Sequence, residues 1–252
     1  MAKRKKQSDM EALIMLVATL MAASIALIIR LIIFIYDVVS FKKTKYKEKS
    51  GQAFLKMYFN KGYYGEFILY RKLCKLFENK QVMTNLYLDG KNTTETEIDV
   101  LVVSTKGVYV FEMKNYGGYI FGSEQDKHWK QVMNRFSKHN FYNPLRQNYA
   151  HTKAVENFLQ IDIEHITPMV VFSNRSKLSK INVSKKHFVA HLNQAIKVVK
   201  EKEKYGKSIF TKEDLTQMIN KLTLRQNQSD EVKSLHVLEV ENLIKEEIKV
   251  TE

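Results

Sequence analysis

The segment 94–116 constrains the fold more than any other part of the sequence. It contains two short runs of β-branched and aromatic residues, separated by Ser-Thr-Lys-Gly at 104–107. Runs of this kind, joined by a small loop that contains glycine, are typical of a β-hairpin. We therefore predict two antiparallel strands here, around which the rest of the domain is organised.

The register of this hairpin decides which side chains share a face. Side chains alternate across a strand, so Glu112 and Lys114 lie on the same face of the second strand. A loop of two or four residues at 104–107 places Asp99 opposite Glu112, whereas a slip of one residue turns Asp99 away. Opposed carboxylates destabilise a hairpin unless something positive lies between them. The predicted register therefore indicates a cation between Asp99 and Glu112.

The residue types suit a hard divalent ion. Mg²⁺ takes carboxylate oxygens as ligands and keeps waters of its own, which leaves room for a phosphate and an attacking water. The ammonium group of Lys114 could orient or deprotonate that water, or stabilise charge that grows on the phosphate. An acidic residue in a strand is also common on a solvated face, and Glu-x-Lys alone is a frequent chance pattern. The catalytic hypothesis therefore depends on the register.

The hairpin and its surroundings resemble a known family over about residues 62–174. Ile98-Asp99, followed by Phe-Glu-Met-Lys-Asn-Tyr at 111–116, resembles the active hairpin of the PD-(D/E)XK nuclease superfamily. The surroundings are similar to its nuclease-related domain branch, the NERD domain. The further matching motifs are Gly-x-x-Gly-Glu at 62–66, Gly118 to Gly122, Trp129, and Asn-Pro-Leu-Arg-Gln-Asn at 143–148. The proline of the superfamily's name is absent, because Ile98 precedes Asp99.

This resemblance implies an α/β fold with a restriction-endonuclease-like mixed central sheet flanked by helices. It implies a nuclease that depends on Mg²⁺, with Mn²⁺ able to replace it. Asp99, Glu112 and Glu66 would be the metal ligands. Lys114 would serve the attacking water, and Gln147 would position the substrate or a metal-bound water. The resemblance favours DNA as the substrate, but the residues alone do not separate DNA from RNA.

Two of these residues also have plain structural explanations. An amphipathic helix predicted at 63–77 has Glu66 in its first turn, where a carboxylate interacts favourably with the helix dipole. Asn-Pro at the start of segment 143–159 predicts a helix with asparagine as N-cap and proline at the first helical position. Gln147 then lies near the first turn, where a surface glutamine is common. His151 follows one turn later on the same face.

Composition limits the classes of partner. The chain has 252 residues, enough for one ordinary domain and an appendage. Its 41 Lys and Arg residues exceed its 27 Asp and Glu residues, giving a net charge of +14. Such an excess fits a polyanion or an anionic membrane surface and does not choose between them. The single cysteine, Cys74, excludes an intrachain disulfide framework and a cysteine-based zinc site.

Residues 12–36 form a long apolar segment interrupted only by Arg30. About 20 apolar residues suffice to span a bilayer. The basic residues 3–6 and the small residues 22–24 also fit a signal peptide, but the apolar segment continues beyond that cleavage point. We therefore predict one uncleaved transmembrane helix, with a buried core helix as the remaining alternative. Basic residues flank both ends, and the positive-inside rule leans slightly towards a cytoplasmic C-terminal domain.

The sequence divides into three predicted regions. They are a transmembrane anchor with basic flanks at 1–50, a NERD nuclease-like domain at 51–180 and a C-terminal helical extension at 181–252. The other predicted elements are strands at 81–88 and 166–172, a short strand after Gly118, a polar loop region at 173–186, helices at 187–199 and 211–222, and an apolar-periodic tail at 231–250.

Two other functions stay open at this point. A membrane-tethered nucleic-acid-binding or scaffolding module could keep this fold without catalysis. A membrane-surface interaction protein could use the basic charge to bind lipid. The presence of Asp99, Glu112 and Lys114 together favours the enzyme over both, so our leading prediction is a membrane-anchored, metal-dependent nuclease.

Overall fold

The computed structural model describes residues 2–90 and 95–226, without the side chains of residues 2–8. The described residues form two compact units, which are divided after Lys43. The tail predicted at 231–250 lies outside the described residues. The predicted region boundaries at 50 and 180 stay a prediction.

The first unit is one helix, α1 (Ala2–Lys43). Its segment Asp9–Lys43 is long and apolar enough to cross a membrane, and none of the residues in its most apolar stretch is buried. Leu13 and Leu27, for example, are 60% and 69% exposed. A core helix of a soluble domain would bury such side chains, so this alternative is not supported.

The second unit combines helices and strands. Its helices are α2 (Tyr46–Ser50), α3 (Phe54–Phe59), α4 (Lys61–Leu73), α5 (Pro144–Leu159), α6 (Leu192–Tyr205) and α7 (Lys212–Thr223). Its strands are β1 (Val82–Asp89), β2 (Glu95–Ser104), β3 (Gly107–Lys114), β4 (Gly118–Ser123), β5 (His128–Val132), β6 (Lys138–Tyr142), β7 (Ile166–Phe172), β8 (Ser176–Asn182) and β9 (Val189–His191). The predicted fold class, a mixed α/β architecture after a long apolar helix, is confirmed.

The main sheet has five strands in the order β1-β2-β3-β7-β9. The first three strands are antiparallel neighbours, whereas β7 runs parallel to both β3 and β9. Val103 pairs with Val108 and Val100 pairs with Phe111, which confirms the predicted hairpin register. Parallel neighbours need a crossover connection, and α5 lies in the one between β3 and β7.

Helix α5 forms because its N-terminus is well capped. Asn143 accepts a hydrogen bond from the Leu145 backbone N–H at 2.9 Å, and Pro144 occupies the first turn. Its buried residues Val155 and Leu159 pack against Val108, Val110 and other apolar side chains of the main sheet. The predicted helix is therefore present, and its packing fixes the polar first turns over the end of β3.

A second sheet of four strands, in the order β6-β5-β4-β8, adds to the predicted architecture. Ile120, Trp129 and Phe141 pack against Phe172 at the end of β7. Trp129 is 1% exposed and donates a hydrogen bond to the Ser123 carbonyl, so it is a buried packing residue of this sheet. A Cβ at Gly122 would lie 2.3 Å from the indole ring, so only glycine fits there.

Several predicted elements need correction. The polar region 173–186 contains strand β8. The helix predicted at 187–199 begins only at Leu192, because Val189–His191 pairs with β7 as β9. Short strands of this kind are fixed by pairing with distant residues, which local periodicity does not report. Helix α4 begins at Lys61, so Glu66 lies beyond its first turn and the expected dipole explanation weakens.

Candidate active site

Strands β2 and β3 bring the two predicted acidic ligands together. The ladder pair of Val100 and Phe111 fixes the register. One step further along, Asp99 and Glu112 therefore lie on the same face of the sheet. Asp99 Oδ2 also accepts a hydrogen bond from the Met113 backbone N–H at 2.8 Å, which ties its carboxylate to β3.

Glu112 is the centre of a buried polar chain. Its side chain is 1% exposed, and its Oε1 lies 2.6 Å from Lys114 Nζ. Its Oε2 lies 3.0 Å from His151 Nε2. Lys114 Nζ donates to Gln147 Oε1 at 2.9 Å, and His151 Nδ1 lies 3.0 Å from Thr96 Oγ1. Helix α5 and the hairpin thus meet through one continuous set of polar contacts.

Burial and charge act differently on the two strand carboxylates. Burial, reinforced by the charge of Glu112, raises the pKa of Asp99 from its ordinary value of 3.8 to about 7. Burial also raises the pKa of Glu112, but the charge of Lys114 and the hydrogen bond with His151 outweigh it, and the net pKa is lowered. Glu112 is therefore ionised at neutral pH, and Asp99 is close to its titration point.

Lys114 keeps its proton. Burial lowers the pKa of this amine, but the charges of Glu112 and Asp99 outweigh burial and hold the pKa above its ordinary value. Its side chain is only 17% exposed. A protonated ammonium group held by Glu112 and Gln147 can donate hydrogen bonds and stabilise negative charge, but it has no free electron pair to accept a proton.

Glu66 reaches the same cluster from α4. Burial, followed by the charges of Asp99, Glu97 and Glu112, raises its pKa well above the ordinary range. Its position depends on Gly65, where a Cβ would lie 2.5 Å from the Cβ of Asn115. Asn115 in turn donates to the Lys61 carbonyl at 2.7 Å. The Gly-x-x-Gly-Glu motif therefore lets α4 approach the end of β3 closely.

Two residues near the cluster received no role from the sequence. Glu97 lies two residues before Asp99 on β2, and its Oε1 accepts a hydrogen bond from Asn85 Nδ2 at 3.1 Å. The alternation of acidic residues along 95–99 is the pattern that could have identified it. His151 was placed on the face of Gln147, but only the structure brings it to Glu112.

The donor set fits a divalent cation. Three carboxylates, Glu66, Asp99 and Glu112, face one ammonium group, and carboxylate oxygens are the ligands that Mg²⁺ prefers. Glu112 Oε1 is buried and receives no hydrogen bond of good geometry from any described residue. Among the described residues, Asp162, Glu164 and His165 place ligand atoms within 4.8 Å of one another, on a turn whose two acidic residues are exposed. Glu66, Asp99 and Glu112 do not form so tight a group, so a bound ion would have to draw their oxygens together.

The comparisons with known proteins place this geometry in a family. A family model described as "Nuclease-related domain" (NERD) matches residues 61–173, from the start of α4 to the end of β7. An uncharacterized protein of Bacillus anthracis is 34% identical over 185 residues, which cover 72% of this chain and 84% of that protein. The chain belongs to the NERD family. All five predicted site residues lie inside the matched NERD region. No solved structure matches the chain.

Proposed function

We propose that this NERD protein is a membrane-anchored, metal-dependent nuclease that hydrolyses phosphodiester bonds of DNA. The observation that carries the proposal is the buried cluster of Asp99, Glu112, Lys114 and Gln147 at the end of β3. Buried ionisable groups with perturbed pKa values and specific charge partners are typical of active sites. The family relation supports the same reaction class.

Each residue has a role that follows from its contacts. Glu66, Asp99 and Glu112 would hold Mg²⁺ or Mn²⁺, which when bound supplies Lewis-acid polarisation of the phosphate and a bound water of lowered pKa. His151 holds the Glu112 carboxylate at one oxygen. Lys114, fixed by Gln147, presents its ammonium group beside these carboxylates.

Lys114 acts as a charge-stabilising group in this proposal. Its raised pKa disfavours general-base catalysis, which the sequence left open beside an orienting role. An ammonium group placed in a site of low exposure stabilises the negative charge that grows on a phosphate in the transition state. Gln147 holds that ammonium in place by accepting a hydrogen bond from it through Oε1.

Helix α1 is the proposed membrane anchor. At about 1.5 Å per residue, the apolar segment 12–36 exceeds the roughly 30 Å of a hydrocarbon core. The helix carries basic residues at its C-terminal end, Lys42 and Lys43. We place the NERD domain in the cytoplasm, since nucleic acid is found there and the basic flank agrees with the positive-inside rule.

The test uses the full chain in nonionic detergent with labelled DNA and RNA. Each substrate is incubated with Mg²⁺, with Mn²⁺ and with a chelator. Glu112→Gln and Lys114→Ala remove proposed catalytic groups, whereas Glu156→Gln removes a carboxylate from an α5 ion pair with Lys153 outside the cluster. Metal-dependent cutting lost in the first two variants and kept in the third supports the nuclease.

The alternative function is a membrane-tethered nucleic-acid-binding or scaffolding module. The observation that favours it is that both carboxylate oxygens of Glu112 already contact other side chains, Lys114 and His151, rather than being free to bind a metal ion. Nucleic-acid binding without cutting under every metal condition, unchanged in Glu112→Gln, would select this module.

A further inference from the structure

The second sheet has two faces of opposite character. Ile120, Trp129 and Phe141 point inwards and belong to a hydrophobic cluster. Their neighbours along each strand point the other way, because side chains alternate across a strand. The ladder pairs Tyr119–Lys177, Phe121–Lys130 and His128–Tyr142 place these residues together on one outer face. We call this outer face the platform; its residues are Tyr119, Phe121, His128, Lys130, Val132, Lys138, Asn140, Tyr142 and Lys177.

The platform is positively charged. Strands β4, β5, β6 and β8 together contain Lys130, Lys138, Lys177 and Lys180 and no aspartate or glutamate. All four lysines are exposed. Most solvated strands mix charges of both signs, so a sheet face with cations alone favours an anionic partner.

The platform also exposes aromatic rings. Tyr119 is 45% exposed and Tyr142 is 44% exposed, and they lie on two strands that flank β5. Lys177 Nζ lies 5.3 Å from the Tyr119 ring centroid, and the rings of His128 and Tyr142 are 6.2 Å apart. Tyr119 pairs with Val132 and Tyr142 pairs with His128, four residues away on β5. At a strand spacing of about 4.8 Å and a rise of about 3.4 Å per residue, the two tyrosines are therefore separated by about 10 Å across the sheet and about 13 Å along it.

The turn between β5 and β6 extends this surface. Phe136 is 82% exposed, and the Arg135 guanidinium carbon lies 4.4 Å from its ring centroid. Asn134 Oδ1 accepts hydrogen bonds from the backbone N–H groups of Phe136 and Ser137, both at 2.9 Å. The turn therefore holds an aromatic ring and a cation in an ordered position at the edge of the platform.

We propose that the platform binds single-stranded nucleic acid, with unpaired bases stacked on its exposed rings and phosphates on its lysines. Rings of this kind stack on the faces of unpaired bases, which a duplex keeps occupied by its own stacking. Strand β4, which carries the platform residues Tyr119 and Phe121, begins four residues after Lys114. The inference rests on the proposed function for its assumption that the ligand is nucleic acid. It adds that the nucleic acid is single-stranded and that the platform is the surface that binds it.

An anionic lipid surface is the alternative ligand of the platform, because it too can bind exposed cations and aromatic side chains. Lipid insertion would favour apolar side chains gathered at one protruding tip. The β5–β6 turn does expose Phe136 and Met133, but Tyr119 and Tyr142 are spread over the sheet face, with Lys130 and Lys177 between and beside them. This arrangement fits an extended strand better than a bilayer.

The test measures binding with a chelator present, so that metal-dependent cutting does not interfere. Full chain in nonionic detergent is titrated into labelled single-stranded DNA of about 20 nucleotides, its duplex, and single-stranded RNA. One variant combines Tyr119→Ala, Phe136→Ala and Tyr142→Ala, and another combines Lys130→Gln, Lys138→Gln and Lys177→Gln. The matched controls are Tyr205→Ala, which removes a ring that is 74% exposed, and the triple variant Lys197→Gln, Lys200→Gln and Lys212→Gln on α6 and α7.

We expect wild type to prefer single strands over duplex by at least about tenfold. The aromatic variant should lose about tenfold or more in single-strand affinity. The lysine variant should reduce the slope of log affinity against log salt by about 2, since three phosphate contacts are lost. Both controls should bind like wild type.

Equal binding of duplex and single strands, or unchanged affinity in both platform variants, overturns the inference. So does a result in which the platform variants lose binding to vesicles of phosphatidylserine and phosphatidylcholine but keep single-strand binding. Preferential single-strand binding without any cutting when Mg²⁺ is restored would refute the proposed nuclease and leave the platform standing. Metal-dependent cutting, together with normal single-strand binding by the platform variants, would support the proposed nuclease and refute the platform.

Discussion

At the scale of single residues, one face of the hairpin holds two carboxylates whose pKa values are shifted in opposite directions. Burial acts on both, but Lys114 and His151 contact Glu112 directly. Among residues 2–90 and 95–226, only the Met113 N–H donates a hydrogen bond to the Asp99 carboxylate. The pKa of Asp99 is therefore raised to about 7, while that of Glu112 is lowered.

The raised pKa of Asp99 predicts how stability depends on pH. Its neutral form is favoured in the folded state, so its contribution to stability is present below its ordinary pKa of 3.8 and is lost as pH rises through about 7. Asp99→Asn imitates the neutral form and can still accept from Met113. In chelator, it should raise Tm by several degrees at about pH 8 and by clearly less at about pH 5, where only part of the contribution has been lost.

Thermal unfolding of both proteins at the two pH values checks this prediction. Wild type should also gain Tm at the higher pH when Mg²⁺ is added, because a bound ion stabilises the folded state, and Asp99→Asn should gain less. An equal Tm difference at both pH values would contradict the assigned cause.

His151 should act as a positioning residue for Glu112. Residues that orient a metal-ligating carboxylate typically change metal affinity or activity by about 10- to 100-fold when removed. His151→Ala should therefore raise the Mg²⁺ concentration needed for half-maximal cutting by about that factor. His151→Gln should recover part of the loss, because its amide can donate to Glu112. Equal defects in the two variants would indicate a packing role instead.

At the scale of elements, the site depends on how closely α4 approaches the end of β3. Gly65 lies against Asn115 with no space for a side chain, whereas at Gly62 the nearest atom to an added Cβ is Asn60 Oδ1 at 3.2 Å. Gly65 is therefore required for the close contact that presents Glu66 to the sheet. An alanine at Gly62 requires only that Asn60 Oδ1, which caps the helix, move by a few tenths of an ångström.

Paired substitutions test this arrangement. Alanine favours a helix over glycine by about 0.5–1 kcal/mol, so helix propensity alone would stabilise both Gly62→Ala and Gly65→Ala. We expect Gly65→Ala to lower both Tm and metal-dependent cutting, because the helix must move away from Asn115. Gly62→Ala should keep both near wild type. Retention of full activity by Gly65→Ala would show that Glu66 does not need this close packing.

The elements also show what the sequence could and could not predict. The hairpin followed from alternation and a short loop, and its register brought Asp99 towards Glu112 as predicted. Strand β9 and the second sheet did not follow, because β8 is short and polar and pairs in parallel with β4 across more than fifty residues. The role of His151 also depends on a tertiary contact, 39 residues away from Glu112 in sequence.

At the scale of the whole molecule, an apolar helix with basic residues at its C-terminal end precedes a NERD domain. The helix exposes its apolar side chains along its length, which in water would be unfavourable. A membrane anchor resolves this exposure and would confine the nuclease to a surface.

Membrane fractionation tests the anchor. Wild type should stay with membranes after an alkaline carbonate wash. A variant with Leu20→Lys, Ile25→Lys and Leu27→Lys should be released, because each lysine near the bilayer centre costs about 2.5–3.5 kcal/mol. A variant with Lys42→Gln and Lys43→Gln keeps the apolar segment and should remain bound. Release of wild type by carbonate would contradict an integral anchor.

The central claim is that Glu112 belongs to a metal-dependent cutting site, and the initial rate of DNA cutting in Mg²⁺ tests it most directly. We predict that Glu112→Gln cuts at least about a hundredfold more slowly than wild type, while Glu156→Gln cuts at the wild-type rate. Equal rates for wild type and Glu112→Gln, or wild-type cutting that persists in chelator, would contradict the account.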